Sequence, residues 1–328
     1  MTRALPLSLL LFVATGAVFV LQLMPYTGIF LMLVLASFWS VILINAGMIG
    51  VFFEALIGRV YRAWMIVPLL FYGAYYSAAA MDDATLSSLR ASYDSANAKV
   101  RIPFDPQHHS LVFENESLAG YLTQNYAIDV AYENHEPVDG GYLSTRLIAQ
   151  PSCDAIKKSR SLPPAINVYW FHDSDEDGSQ VFERRFCNLR LPEMPTRPAV
   201  TIASQKLESD EQSLPMELRE LTITMPDGQD YTLKTGRASP LSWFPLPVMG
   251  CGLNSSVPSW DCDAGFMRRK SEPIISGEGR YGRDAEVLAR ASGLDRVSIE
   301  DRKAVPFPED VSLGSGTFGA YTGPATNP

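Results

Sequence analysis

The chain has 328 residues, of which 47% are hydrophobic, and its formal net charge is −9. Its first 80 residues contain only four charged side chains, Arg3, Glu54, Arg59 and Arg62. The rest of the chain is acidic, whereas recognition of nucleic-acid phosphates needs clustered Lys and Arg. This composition predicts a protein that is anchored in a lipid bilayer, with an acidic part outside the membrane, and it argues against nucleic-acid binding.

Three runs without charge, residues 5–24, 29–53 and 63–80, lie in this first part. A helix needs about 20 residues to cross the hydrocarbon core, and its backbone must form hydrogen bonds within the segment. We therefore expect a three-helix transmembrane anchor in residues 1–81, with a turn at residues 25–28. A cleaved signal peptide is the less favoured alternative for the first run, because its apolar part is about twice the usual length and no small-residue cleavage site follows.

The basic residues predict the orientation of these helices. Arg3 precedes the first run, Arg59 and Arg62 lie between the second and third, and Asp82 follows the third. Basic residues favour the cytoplasmic side of a membrane. We expect a cytoplasmic amino terminus in a bacterial inner membrane and an extracytoplasmic location for everything after residue 81.

The four cysteines, Cys153, Cys187, Cys251 and Cys262, all lie in the part assigned to the outside. An even number of cysteines in an exported domain indicates disulfide bonds. Three pairings are possible, and we favour Cys153–Cys187 and Cys251–Cys262 because these residues are nearest in sequence. A zinc site is less favoured, because the chain has no C-x-x-C spacing.

The extracytoplasmic part is expected to be α+β. It should consist of a helical stalk (82–99), a β-rich, sandwich-like domain with short helices (100–304) and a flexible tail (305–328). The runs that favour strands are residues 100–104, 111–114, 127–133, 142–150, 165–172, 180–188, 199–205, 218–225 and 230–235. Helices are expected at 118–126 and 284–292, a hairpin turn at 226–229, and irregular structure at 236–282.

An acidic motif, Asp173-x-Asp175-x-Asp177-Gly178, matches the beginning of a helix–loop–helix calcium site. Such a loop needs a bidentate Glu at position 12, where this chain has Arg184, and helices on both sides, where this chain favours strands. A soluble hairpin connection is therefore the favoured interpretation. Asp173, Asp175 and Asp177 remain a secondary calcium candidate, and we expect no other metal site and no cofactor.

Asn45 is the one strongly polar residue deep in a predicted span, and such residues face protein partners. Small residues also recur at four-residue spacing, which lets helices approach closely. These small pairs are Ala36 and Ser40, Ala46 and Gly50, and Gly73 and Ser77. We expect all of these positions to pack helices of this chain together or to contact other subunits.

The sequence contains neither H-E-x-x-H nor G-x-S-x-G, and the predicted cytoplasmic parts are too short for a nucleotide-binding or signalling domain. We expect a non-enzymatic membrane subunit of an envelope-spanning assembly, which binds other membrane or periplasmic proteins and possesses no catalytic site; a homo-oligomer stays open. The alternative is an extracytoplasmic ligand-binding or sensor protein that signals through a membrane partner. An enzyme with carboxylates scattered in sequence is a third hypothesis.

Overall fold

The computed structural model describes residues 6–35, 38–115, 118–134, 141–158, 167–169, 172–174, 180–182, 185–207, 214–254, 259–275, 283–298 and 301–305. The chain forms two compact units. The first contains Met1–Ser88, Glu211–Pro215 and Ala238–Glu272, and the second contains Leu89–Asp210, Met216–Arg237 and Pro273–Pro328. Helices at the amino terminus precede a sheet-rich part, so the α+β class is confirmed. The predicted domain boundaries stay predictions.

The amino-terminal helices are α1 (Leu7–Gln22), α2 (Pro25–Leu35), α3 (Phe38–Leu56) and α4 (Ile66–Asn97), and a 3₁₀ turn (Arg62–Met65) precedes α4. Among the described residues, the helical segments Phe38–Leu56 and Arg62–Asn97 are long and apolar enough to cross a membrane, whereas α1 is shorter. The apolar run at residues 29–53, predicted as one span, is divided between α2 and α3. Three transmembrane helices are therefore not established.

The turn predicted at residues 25–28 is wrong, because these residues form the first turn of α2. Pro25 is the first helical residue, a position where its missing N–H group has no intrahelical partner to lose and its fixed φ suits the helix. The turn lies instead at residues 23–24, immediately before this proline. The proline thus starts a helix here rather than marking a loop.

The remaining helices are α5 (Ala119–Asn125), α6 (Gln150–Lys158) and α7 (Arg283–Ala291). The strands are β1 (Ser110–Phe113), β2 (Ala131–Asn134), β3 (Tyr142–Ala149), β4 (Asn167–Tyr169), β5 (His172–Ser174), β6 (Gln180–Phe182), β7 (Phe186–Pro192), β8 (Ala199–Leu207), β9 (Met216–Thr224), β10 (Asp230–Ala238), β11 (Pro247–Asn254), β12 (Ser259–Phe266) and β13 (Glu272–Pro273). Nine of these strands form one sheet in the order β13-β10-β9-β8-β1-β2-β3-β7-β4. The pairs β5–β6 and β11–β12 form two small separate sheets.

The centre of the large sheet is parallel. Strand β1 lies between β2 and β8 and runs parallel to both, with Leu111 opposite Ala131 and Val200. A parallel pair needs a crossover connection, which α5 provides between β1 and β2. Leu111, Val112 and Phe113 are at most 2% exposed, as expected for a parallel strand that is covered on both faces. A sandwich of two facing sheets is not established.

Several local predictions are confirmed. Strands β9 and β10 flank the turn at residues 226–229, where Gly228 has a φ of +84°. Helix α7 ends before Gly293, which has a φ of +68°. The helix expected at residues 82–99 is the second half of α4. Its end is fastened in the second unit, because the Asn97 side chain donates to the Lys234 carbonyl (2.8 Å) and accepts from the Lys234 N–H (2.9 Å).

Two further local predictions are wrong. Residues 100–104 form no strand, and the described part of 236–282, expected to be irregular, contains the long hairpin β11–β12. Helix α6 was not predicted at all. Gln150 and Pro151 are compatible with the first turn of a helix, but the apolar positions that would mark this helix are few, and its Cys153 and Ile156 are buried by tertiary contacts.

Both disulfide bonds join the pairs that the sequence favours. Cys153 of α6 is bonded to Cys187 of β7, and Cys251 of β11 to Cys262 directly opposite on β12. Disulfide bonds form and persist in oxidising compartments. Together with the two helices long enough to cross a membrane, they indicate a membrane-associated protein in which both units carry a disulfide.

Candidate functional site

The polar side chains of the apolar helices form one hydrogen-bonded row in the first unit. Asn45 is 6% exposed, and its amide nitrogen donates to the carbonyl oxygens of Val41 (2.8 Å) and Pro245 (3.0 Å). Its side-chain oxygen accepts the Tyr72 hydroxyl at 3.0 Å. The partners of this intramembrane candidate therefore come from its own chain, and one of them lies 200 residues away in sequence.

Two further side chains form hydrogen bonds to neighbouring residues of the same non-helical segment. The Ser40 hydroxyl donates to the Pro247 carbonyl (3.0 Å) and accepts the Met249 N–H (3.1 Å). The Tyr75 hydroxyl lies 2.8 Å from the Ser242 carbonyl and 3.1 Å from that of Phe244. We call residues 240–249, which include three prolines, the proline segment. Its backbone is held by side chains of α3 and α4.

The proline segment and the β11–β12 hairpin are fastened at two more points. Asp82, which is 5% exposed, accepts the Leu241 N–H (3.0 Å) and the guanidinium of Arg268 (2.9 Å). Trp260 of β12 donates its indole N–H to the carbonyl oxygen of Gln22 at the end of α1 (3.0 Å). The hairpin and the amino-terminal helices thus form one packed body.

The small residues of the sequence analysis have different surroundings. Ser40 belongs to the hydrogen-bonded row, Ala46 is half-buried, and a Cβ atom added at Gly50 would lie 3.2 Å from that of Ser8. Gly73 has open space beside it and Ser77 is exposed, and Ala36 lies outside the described residues. The predicted packing role stays a prediction for these positions.

A close contact between α1 and α3 involves a residue that the sequence analysis missed. A Cβ atom at Gly47 would lie 2.8 Å from Cζ of Phe12. Gly47 and Gly50 are three residues apart, so they share one helix face. A search for small residues at three-residue as well as four-residue spacing would have found this pair.

The acidic motif lies mostly outside the described residues. Asp173 belongs to β5, which pairs antiparallel with β6, so the expected strands flank the loop. Asp175 and Asp177 are not among the described residues. Within the described part of the chain, no group of three or more His, Cys, Asp or Glu side chains is placed to hold a metal ion. The calcium candidate stays a prediction.

The second unit contains an open cleft with a volume of about 580 Å³. Its walls come from three segments: residues 104–106, residues 126–127 and residues 292–297. The first segment precedes β1, the second precedes β2 and the third follows α7, so the cleft lies at the amino-terminal edge of the parallel strands. The catalytic and cofactor sites of open α/β sheets lie at the opposite, carboxyl edge.

Backbone hydrogen bonds hold these three segments together. The N–H of Val297 donates to the Asn125 carbonyl (2.7 Å), and that of Ile102 to the Ala291 carbonyl (2.9 Å). The guanidinium of Arg302 donates to the side-chain oxygen of Asn125, which is 2% exposed, at 2.9 Å. The cleft is therefore a preformed feature of this unit.

The buried Tyr126 lines the cleft, and the half-buried Tyr121 and the buried carboxylate of Glu286 lie next to it. Burial, reinforced by the negative charge of Glu286, raises the pKa of Tyr126 to about 12. Burial and the same carboxylate also raise the pKa of Tyr121, whose hydroxyl donates to Glu286 at 3.0 Å. Both phenols therefore stay protonated at neutral pH, as hydrogen-bond donors rather than bases.

The rim of the cleft carries charges of both signs. Asp105 accepts the Gln107 N–H (2.8 Å) and lies 2.6 Å from the imidazole of His108, and these two contacts hold its pKa below the ordinary value. Asp295 and Arg296 on the facing segment are exposed. An ionised carboxylate and a guanidinium thus border a wall that contains Phe104.

Ala127 in this cleft has a φ of +41°, in the left-handed region that residues with a Cβ atom rarely adopt. Such backbone strain persists where the surrounding structure imposes it, and it concentrates at functional sites. The sequence analysis found neither Ala127 nor the cleft. The sequence offered one signal that could have indicated the cleft, the pair of aromatic residues Tyr121 and Tyr126 in and directly after α5. The other two segments of the cleft are distant from this pair in sequence.

Comparison with family models, with curated protein sequences and with solved structures finds no match to this chain.

Proposed function

We propose that this chain is a non-enzymatic integral membrane subunit of an envelope-spanning assembly. The helices of the first unit anchor it, and the second unit binds a partner protein in its cleft. The observation that carries this proposal is the preformed open cleft, with its aromatic wall, its strained Ala127 and its rim of both charges. An apolar centre inside a polar rim is the usual anatomy of a protein interface.

The anchor is supported by the exposed surface of the helices. Ile42 and Leu70 are each 64% exposed and Phe53 is 56% exposed. Soluble monomers rarely expose contiguous apolar patches of large area, whereas a lipid bilayer solvates them. Arg59 and Arg62 between α3 and α4 favour a cytoplasmic location for that connection, and so an extracytoplasmic location for the second unit. The bacterial inner membrane remains the proposed site.

The position of the cleft favours binding over catalysis. It lies away from the carboxyl edge of the parallel strands, where the catalytic and cofactor sites of open α/β sheets lie. A protein segment suits its open shape, because a peptide backbone can pair with the rim while apolar side chains contact Phe104 and Leu294. The alternative, a ligand-binding or sensor protein, is favoured by the volume of about 580 Å³, which is large enough for a small molecule.

The test is purification from native membranes in a mild detergent, followed by mass spectrometry of the proteins that stay bound. The cleft variant is Arg296→Glu, and the matched control is Arg237→Glu, the same charge reversal at an exposed position of β10. We expect a stoichiometric partner to stay bound to the wild type and to the control. With Arg296→Glu we expect the affinity for this partner to fall by about tenfold, the usual size for a contributing interface residue.

A partner that the cleft variant retains would contradict the assignment of the cleft. A solitary wild-type protein would contradict the assembly subunit. The second unit would then be screened with small molecules, with Arg296→Glu again as the variant that should lose binding.

A further inference from the structure

The backbone of the proline segment is bonded in the way that a non-helical chain in lipid requires. Pro240, Pro245 and Pro247 have no N–H group to satisfy. Carbonyl oxygens at residues 242, 244, 245 and 247 accept or contact side-chain donors of α3 and α4. Irregular backbone occurs at membrane depth only where protein groups replace the missing water.

The positions on α3 that contact the proline segment show how far this segment extends along the helix and so into the hydrocarbon core. Helix α3 has 19 residues, which at a rise of 1.5 Å per residue gives a length of about 28 Å, close to the thickness of the hydrocarbon core. Asn45 is seven residues from Phe38 at the beginning of this helix. The Pro245 carbonyl that it binds therefore lies about 10 Å inside that end of the helix.

Large apolar side chains in the proline segment and beside it are exposed in the described structure. Trp243 is 84% exposed, Met267 is 49% exposed and Phe266 is 39% exposed. The Phe266 ring lies 4.9 Å from the Tyr75 ring and 5.9 Å from the Phe71 ring of α4. This apolar patch is thus continuous with the exposed apolar surface of a helix that is long enough to cross a membrane.

Charged residues begin immediately beyond this patch. Arg268 pairs with Asp82, and Arg269 pairs with Asp83 of the same helix. Helix α4 is thus apolar as far as residue 81 and charged from Asp82 onward, and the chain after β12 changes from apolar to charged between Met267 and Arg268, where Arg268 pairs with Asp82. Within the hairpin, Asp261 and Asp263 lie on the far side of Phe266 from this point. Tryptophan is enriched at such a boundary, where its ring contacts both lipid and water.

We propose that the proline segment and the adjoining end of the hairpin re-enter the lipid bilayer, where Trp243, Phe266 and Met267 contact lipid. The inference rests on the proposed function in one respect, because it needs α3 and α4 to span the membrane. It adds that the part of the chain after residue 81 is not entirely outside the membrane. The occupant of the apolar patch is lipid rather than a partner protein.

The test uses a photoreactive benzoylphenylalanine in place of Trp243, in the full chain reconstituted into vesicles of phosphatidylethanolamine and phosphatidylglycerol. The same probe replaces Leu70, which is exposed on α4, and Gln229, which is exposed at the β9–β10 turn. After illumination, mass spectrometry measures lipid adducts. We expect the yields at positions 243 and 70 to exceed that at 229 by about tenfold, because only the first two contact acyl chains.

The three positions separate the possible failures. Lipid adducts at position 70 but not at 243 would overturn this inference and leave the membrane anchor intact. Background yields at both positions would overturn the inference together with the anchor. Adducts of position 243 with a co-purified protein instead of lipid would assign the patch to a partner and also overturn the inference.

A second measurement leaves the packing of the chain almost unchanged. The fluorescence of the wild type and of Trp243→Phe is compared in vesicles with and without brominated acyl chains. The difference between the two proteins reports Trp243 alone, although the chain has five tryptophans. We expect brominated lipid to reduce this difference signal, because bromine atoms on the acyl chains quench an indole ring that they contact. An unreduced signal would contradict the proposal.

Discussion

Replacement of Asn45 by leucine tests whether the hydrogen-bonded row fastens the proline segment to the helices. Leucine has a similar volume but no polar atoms, so Asn45→Leu removes the donor to the Pro245 carbonyl and the acceptor of the Tyr72 hydroxyl. The bond to Val41 lies within one turn of α3, and that carbonyl keeps its helical partner. Two tertiary hydrogen bonds are therefore lost.

The expected cost follows from these two bonds. A hydrogen bond between segments in a membrane contributes about 0.6–2 kcal/mol, and a buried group left without its partner costs about 1–3 kcal/mol. We expect Asn45→Leu to lower the free energy of unfolding by about 2 kcal/mol, and Tyr72→Phe to lower it by about 1 kcal/mol. Because both changes remove the same bond, the double variant should lose about 1 kcal/mol less than the sum.

Thermal unfolding in a mild detergent, followed by tryptophan fluorescence, measures these differences. Ser77→Ala is the control, because Ser77 is exposed on α4 and its replacement should change stability by no more than about 0.5 kcal/mol. If Asn45→Leu were neutral or stabilising, or if the two variants were additive, the row would not hold the proline segment, and the argument from backbone satisfaction would fail.

Three further predictions concern packing, strain and pH. Gly47→Ala should destabilise the first unit by about 1–3 kcal/mol, because the new methyl group meets Phe12, whereas Gly73→Ala, with open space around it, should be neutral or stabilising in the same unfolding assay. Ala127→Gly should raise the melting temperature through a gain of up to about 1 kcal/mol, since glycine adopts the left-handed conformation without strain; a lower melting temperature would contradict that strain. Burial raises the pKa of Tyr126 to about 12, above its value in the unfolded chain. The protonated phenol therefore contributes fully to the free energy of unfolding below about pH 10, and this contribution is lost as the pH rises through about 12. The free energy of unfolding measured across this pH range should fall less steeply in Tyr126→Phe than in the wild type. If the two curves of stability against pH were parallel, the raised pKa would not belong to Tyr126.

The local elements that the sequence predicts correctly are those with a strong signal in a few consecutive residues. Gly228 and Gly293 both adopt the positive φ that their turn and helix end require, and the periodic runs around α5 and α7 form helices. The nearest-neighbour cysteine pairs are also the bonded pairs. In each case the interacting residues are close in sequence, so local preference and the native structure agree.

The parallel centre of the large sheet was not predictable in the same way. Strand β1 has only four residues, and its partners β2 and β8 follow about 20 and 90 residues later. A short apolar run does not show whether one or both of its faces are covered, and this distinguishes a strand of a sandwich from one of a parallel sheet. Residues 100–104 have a composition that favours a strand but form none, since the Ile102 N–H donates to the Ala291 carbonyl at the end of α7 and Phe104 lines the cleft.

The distribution of charge and apolar length along the chain determined that the amino-terminal part is a set of apolar helices and that an acidic, disulfide-bonded α+β part follows. Those properties are sums over local composition, and no long-range contact is needed to establish them. Only the tertiary structure decided what Asn45 binds, because its partner at Pro245 is 200 residues away and is a backbone carbonyl that any residue type would present. The cleft around Ala127 has the same origin, since it exists only where three distant segments meet at one edge of a sheet.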